Sequence, residues 1–404
     1  MDIRNELIGR FFRYLAIESQ SDPDSSVLPS TPGQQTLAAL LAGELQELGL
    51  DDVLLDEHAT LTAVKRGNRP DAPKIGFIAH LDTVDVGLSP IIRPQILRFE
   101  GADLCLNAEK HIWLRVQEHP EIRTWEGQDI IVSDGTSVLG ADNKAAIAVI
   151  MTLLARLDSD VGHGDVFVAF VPDEEIGLRG AKALDLARFP CDFAYTIDCC
   201  ELGEVVIENF NAAAAEIEFT GVSAHPMSAK DVLVNPLLMA LDFVAIFDRA
   251  ETPERTEGRE GYFWFKDLVA NDTKARLKVS IRDFDKTGFE QRKEQLDKAV
   301  EVIRSRYSKG RVSCSISNTY ENIGDRLGSD SRSVELLFAA LETLRIEPKL
   351  IPMRGGTDGA ALSAKGIATP NFFTGAYNFH SRFEFLPVPA FEKSYDVARK
   401  ICTL

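Results

Sequence analysis

Three short runs of apolar residues constrain this chain more than any other feature: Lys74-Ile75-Gly76-Phe77-Ile78-Ala79, Val166-Phe167-Val168-Ala169-Phe170-Val171 and Phe193-Ala194-Tyr195-Thr196-Ile197. A strand with one face in water alternates polar and apolar residues, whereas a strand covered on both faces reads as a continuous apolar run. An apolar, alanine-rich stretch suited to a helix begins near Asn143, and a second helix should follow Glu175. Strands alternating with helices predict an α/β fold with a mostly parallel sheet.

The flanking sequence supplies further elements. Residues 4–18 have helical periodicity, and Thr31-Pro32-Gly33-Gln34 has the form of a capping box with proline at the first helical position. That helix should run to about Leu48, where Gly49 stops it, and alternation over 60–66 predicts a half-buried strand. After residue 209 the pattern changes: Ala213–Phe219 reads as a strand, Asn235-Pro236 opens a long helix, residues 275–283 alternate, 289–306 form a charged amphipathic helix and Arg311–Ser317 alternates again. The simplest organisation is a domain of residues 1–209 and 319–404 with a smaller α+β domain, 210–318, inserted into it. The polar stretch 251–261 (ETPERTEGREG) should be a surface loop.

A chain of 404 residues suits two domains. Its formal net charge of −18 disfavours nucleic acid and anionic membranes as partners. The N-terminal residues lack the pattern of a signal peptide, and no apolar run is long enough for a membrane span. Six cysteines, at 105, 191, 199, 200, 314 and 402, match neither a disulfide framework nor a thiolate metal site, so reduced thiols and a cytoplasmic location are expected.

Of the seven histidines, His58, His111, His119 and His163 lie in polar, loop-like surroundings, while His80, His225 and His380 lie in distinctive patterns. His80 follows an apolar strand, and Asp82, two residues on, points the same way. Active sites of open α/β sheets gather at such strand ends. Asp142, in Gly140-Ala141-Asp142-Asn143-Lys144, occupies the position of a helix N-cap, and a carboxylate there could also bridge two cations. Asp173-Glu174-Glu175 follows another apolar strand, and three adjacent acids repel one another unless cations neutralise them. One glutamate can then ligate metal while its neighbour deprotonates the attacking water. Asp198 ends the third strand, and His380 lies in a glycine- and aromatic-rich loop. Oxygen and imidazole donors without thiolates suit zinc, manganese or cobalt.

These motifs together, HLDTV, GADNKAA, PDEEIG, TID, GVSAHP, RGGTDG and GAYNFH, resemble those of the peptidase T family of zinc aminopeptidases, from about residue 5 to the C-terminus. The resemblance implies a di-zinc peptidase domain carrying an inserted lid- or dimerisation-type α+β sandwich. It implies that His80 and Asp198 bind one zinc, Glu175 and His380 the other, and that Asp142 bridges them. It makes Asp82 the partner that orients His80 and Glu174 the general base. It also implies a cis peptide at Asp142-Asn143, a role for His225 in stabilising the oxyanion, and substrate contacts from Arg282, Arg354 and Asn378. The forked guanidinium suits a peptide's terminal carboxylate. Thr357, Asp358 and Gly359 read equally well as a helix cap. In related enzymes the inserted domain can pair two subunits.

The activity so implied is release of the N-terminal residue from short peptides, chiefly tripeptides. A same-fold amidohydrolase or dipeptidase acting on N-acyl amino acids or dipeptides would share the metal site and the base; RGGTDG and the ETPERTEG loop favour peptides. A non-catalytic metal or peptide binder on the same fold would have no use for Glu174 beside a ligand.

Overall fold

The computed structural model describes residues 2–157 and 161–404. It divides into two compact units. The first comprises residues up to Ile207 together with Ile323–Ile351 and Thr357–Leu404, and the second Glu208–Asn322 with Pro352–Gly356.

The first unit is built on an eight-stranded sheet in the order Asp51–Leu55, Leu61–Lys65, Val166–Val171, Ile75–His80, Phe193–Cys199, Asn371–Phe373, Glu204–Val206, Lys349–Leu350. The four strands from Val166–Val171 to Asn371–Phe373 are mutually parallel, and antiparallel strands flank them. Ile75–His80 and Val166–Val171 are buried at every position, as their unbroken apolar runs require. Leu61–Lys65 is also buried along most of its length, so its alternation did not report a wet face. It lies inside the sheet, where both faces are covered.

The helix Ala141–Arg156 packs on this sheet and against the helices Ile3–Leu15 and Val388–Thr403. It is buried on all sides from Ala141 to Leu154, which accounts for a composition without a polar face. The helix Pro32–Glu47 begins where its sequence predicts, but the capping box does not form: the Thr31 side chain accepts no cap bond. Gln34 turns instead to the buried Asp173 carboxylate, donating to Oδ1 at 2.7 Å. The helix after Glu175 is short, Arg179–Ala183. A second, three-stranded sheet (Pro94–Phe99, Gln128–Ser133 and Phe385–Pro387) lies outside the sequence-based expectations.

The second unit is a four-stranded antiparallel sheet, in the order Tyr262–Ala270, Lys274–Asp283, Asn211–Thr220, Arg311–Tyr320. One face packs on the helices Pro236–Val244 and Lys286–Arg306 through a core that includes Ile217, Phe219, Phe243, Val279, Leu296 and Ile303. Asn235 Oδ1 caps the first helix by accepting the N–H of Leu237 at 2.9 Å. That helix is nine residues long rather than the long helix its opening suggests. Among the described residues no helix is long and apolar enough to cross a membrane.

Candidate metal centre

The four parallel strands deliver their carboxyl ends to one rim of the first unit. His80 closes its strand, Asp198 sits one residue before the end of another, Glu174 and Glu175 follow Val171, and the loop to His380 follows Phe373. Asp142 enters from the start of the buried helix. The chain is not helical at Asp142 and Asn143, and the peptide between them is cis. Asp142 is therefore not the N-cap its position suggests. Its side chain turns to two histidines.

Asp142 Oδ1 lies 2.9 Å from His80 Nε2, and Oδ2 lies 3.0 Å from His380 Nε2. The two oxygens of one carboxylate thus face two different imidazoles. On the first side Asp198 Oδ1 is 3.9 Å from His80 Nε2, and on the second Glu175 Oε1 is 3.0 Å from His380 Nε2. Two donor triads share Asp142, His80–Asp142–Asp198 and Asp142–Glu175–His380, and a third group, His80–Glu174–Glu175, has the same spacing; within each the ligand atoms lie within 4.8 Å of one another. Donors about 2.0–2.1 Å from a tetrahedral ion stand roughly 3.3 Å apart, so separations of 2.9 to 3.9 Å match such a shell. These groups can hold metal ions.

The charges call for cations here. Burial pushes the Glu174 and Asp198 carboxyls well above their usual range, and neighbouring acids add to the rise. Burial, with the charge of Asp142, raises Glu175 to about 7. Burial acts against Asp142 as well, yet the bonds from His380 and His80 hold it well below the ordinary value. Burial opposes a charge on His380, but Asp142 and Glu175 push it up to about 11. The imidazolium rings take the place of positive charge that the carboxylates require.

Further residues hold these side chains in place. His80 Nδ1 is 3.0 Å from the backbone oxygen of Asp82 and 3.4 Å from its Oδ1, which leaves Nε2 aimed at Asp142. The same Asp82 carboxylate, fully buried, accepts the backbone N–H of Glu174 at 3.0 Å and of Glu175 at 3.2 Å. Asn143 Nδ2 donates to Asp198 Oδ1 at 3.0 Å, and Asn371 Oδ1 accepts the Asp198 N–H at 2.7 Å. Glu384 accepts three backbone N–H groups, from Leu139, Gly140 and Asp142, at 2.7, 2.8 and 3.2 Å. It fixes the loop that presents Asp142, and sequence reasoning did not single it out. Its signal is a carboxylate between Phe383 and Phe385 in an otherwise apolar stretch.

The remaining expected site residues are elsewhere or already engaged. Asn378 Nδ2 donates to Glu121 Oε1 at 2.7 Å and to Phe383 O at 3.3 Å, so the amide nitrogen braces its own loop. His119, expected to lie in indifferent surroundings, has Nδ1 3.3 Å from that nitrogen. His225, Arg282 and Arg354 belong to the second unit. His225 is exposed, and its Nδ1 accepts the Met227 N–H at 3.2 Å. A neutral ring in that arrangement carries its proton on Nε2. Arg282 donates through Nη1 to Ile281 O and Ala213 O, with Tyr320 beside its guanidinium. Arg354 stacks on Phe210 and Tyr262 and donates to Gly258 O at 3.1 Å and Thr256 Oγ1 at 2.7 Å. Arg354 of RGGTDG thus meets Thr256 and Gly258 of ETPERTEG within the second unit, while Thr357, Asp358 and Gly359 belong to the first.

Known proteins resemble this chain over its length. Residues 207–311 match a family described as the peptidase dimerisation domain, and residues 122–219 match the M42 glutamyl aminopeptidase family. A peptidase T-like protein of Rhizobium meliloti (strain 1021) is 70% identical over 404 residues, covering 100% of this chain and 99% of its own length. Peptidase T of Geobacillus sp. (strain WCH70) is 41% identical over 406 residues, covering 100% of this chain and 99% of its own. The crystal structure of aminopeptidase PepT from Bacillus cereus superposes with a TM-score of 0.77 at 20% identity, over 99% of this chain and 98% of that one.

Proposed function

The chain belongs to the peptidase T family, and from that membership we propose that it is a two-zinc aminopeptidase that removes the N-terminal residue from short peptides, chiefly tripeptides. The observation that carries this reading is the division of Asp142 between two imidazoles, with one further carboxylate on each side. Zinc suits the donors, all oxygen or imidazole nitrogen, and manganese or cobalt would substitute.

Two such cations, bound by His80, Asp198, Glu175 and His380 with Asp142 between them, would acidify a water and polarise the scissile carbonyl. The other steps fall to the protein's own groups. Glu174 takes a proton from the attacking water as its oxygen joins the carbonyl carbon, then gives that proton to the departing amine nitrogen as the C–N bond breaks. Asp82 supports Glu174 by holding its backbone N–H, and keeps His80 Nε2 turned to the cluster. His225 is assigned the oxyanion, supported by the tautomer that leaves Nε2–H as a donor. Arg282, which donates through Nη1 to the backbone oxygens of Ala213 and Ile281, is assigned the substrate carboxylate. Arg354 and Asn378 could serve substrate only by giving up bonds made within the fold.

The second unit is proposed to pair two copies of the chain. It matches a dimerisation family, and its helix and edge strand leave Leu238, Leu241, Trp264 and Val269 exposed. Sedimentation equilibrium would report a monomer if that pairing is wrong.

The activity test offers tri-alanine, di-alanine and N-acetyl-alanine to the zinc-loaded protein. Release of free alanine from tri-alanine should be fastest. Preference for N-acetyl-alanine would replace the aminopeptidase reading with an amidohydrolase.

A further inference from the structure

Asp358 is 2% exposed, and neither of its carboxylate oxygens has a hydrogen-bond partner among the described residues. It starts the helix Asp358–Ala364, but Thr357 makes no side-chain cap there and Asp358 bonds no backbone N–H. A helix does begin here with Thr357 at its N-cap position, but capping does not account for the Asp358 side chain. Burial favours the neutral form of such a carboxyl, here raised to about 7, and a cation placed beside it restores the charge.

The surroundings narrow which cation. The charge of Asp358 is felt by Glu174 and Asp198, and Asp358 in turn feels His80, Asp82, Glu175 and Asp142, so it faces the metal cluster. Yet it belongs to none of the groups whose ligand atoms all lie within 4.8 Å of one another. The neighbouring buried acids are committed. Asp82 holds two backbone N–H groups and Glu384 holds three. Asp173 holds Ser30 and Gln34 and pairs with Arg179. Asp358 is left as an acidic group, raised to about 7 chiefly by its burial, with no hydrogen-bond partner among the described residues.

An aminopeptidase has one such cation to place, the α-ammonium of its substrate. We propose that Asp358 receives the α-ammonium group of the peptide and so sets the first peptide bond over the metal pair. The inference rests on the aminopeptidase reading above. It explains how the site would count from the N-terminus: a ligand without the ammonium leaves Asp358 buried and unpaired, and is rejected for that reason.

The test measures binding without turnover. In zinc-loaded Glu174→Gln protein, calorimetry compares tri-alanine with propionyl-alanyl-alanine, which has the same shape but no amine. Tri-alanine should bind about 30-fold more tightly, as expected for a charge-assisted bond. Adding Asp358→Asn should bring the two ligands within about threefold, with two zinc ions retained and the melting temperature unchanged or raised. A preference that survives Asp358→Asn overturns the proposal, and so does the lack of any preference in Glu174→Gln alone. Loss of zinc in Asp358→Asn would make this residue a metal ligand and overturn it too; Asp358→Ser repeats the measurement should the asparagine variant fold poorly. Failure of the aminopeptidase reading is seen separately, as wild-type protein that releases no alanine from tri-alanine.

Discussion

Asp82 Oδ1 accepts the backbone N–H of Glu174 at 3.0 Å, and this bond ties the end of one buried strand to the acidic turn that follows the next. Because its other oxygen takes the Glu175 N–H and its backbone oxygen faces His80 Nδ1, one residue orients a proposed ligand on each side of the cluster. Asp82→Asn would set an amide N–H against a backbone N–H. Zinc affinity should fall about 10- to 100-fold, the usual cost of losing such a support. Competition with a metal indicator dye measures it, and unchanged affinity would remove Asp82 from this role.

Glu174→Gln should retain two zinc ions yet lose at least about a hundredfold in kcat, the usual worth of a general base. Metal analysis and tri-alanine hydrolysis, run on the same sample, separate the two effects. Turnover within about threefold of wild type would show that another group moves the proton.

Chelation should destabilise the protein, since the carboxylates of the two triads lose the charge that balances them. An ion present at about a thousand times its Kd contributes about 4 kcal/mol, and for a chain of this size that corresponds to a fall of roughly 5 °C in melting temperature. Differential scanning calorimetry before and after verified metal removal gives the answer.

Glu384→Gln leaves three backbone N–H groups competing for one acceptor oxygen in a fully buried place. A loss of about 1–3 kcal/mol in stability is expected, together with weaker zinc binding because Asp142 is no longer held. Urea unfolding of the zinc-free variant isolates the first effect. If stability and affinity both stay at wild-type levels, Glu384 does not position that loop.

Lys144 supplies a pH dependence. It is fully buried, and burial lowers its ammonium from 10.5 to about 7 against the opposing charges of Asp82 and Glu18. Between pH 7 and 10.5 the unfolded lysine still holds its proton while the folded one has released it. The unfolded chain then binds more protons, so this group makes stability rise with pH across that window. Subtracting the pH–stability curve of Lys144→Met from that of wild type should show the rise, and a flat difference would mean that the lysine stays charged when buried.

Much of the first unit was legible in the sequence because burial on both faces leaves an unbroken apolar run that little else produces. The same logic located His80, Glu174, Glu175 and Asp198, since polar residues at the ends of such runs stand out. What stayed illegible depends on partners distant along the chain. Gln34 has the form of half a capping box, but Asp173, far along the sequence, takes its amide. Asp142 reads as an N-cap until a non-helical step turns its side chain toward two histidines. The three-stranded sheet draws on segments at 94, 128 and 385, and no local pattern announces that pairing. Asn378 looked free to meet substrate because nothing near it in sequence reveals Glu121 as its partner.

The spread of the metal cluster along the chain, from His80 to His380 and its support Glu384, also bears on synthesis. A chain emerging from the ribosome carries His80, Asp142, Glu175 and Asp198 long before His380 is added, so four of the five proposed donors exist without the fifth. A growing or truncated copy can gather one triad but not the pair. On this reading the peptidase activity is expected only of chains completed through His380.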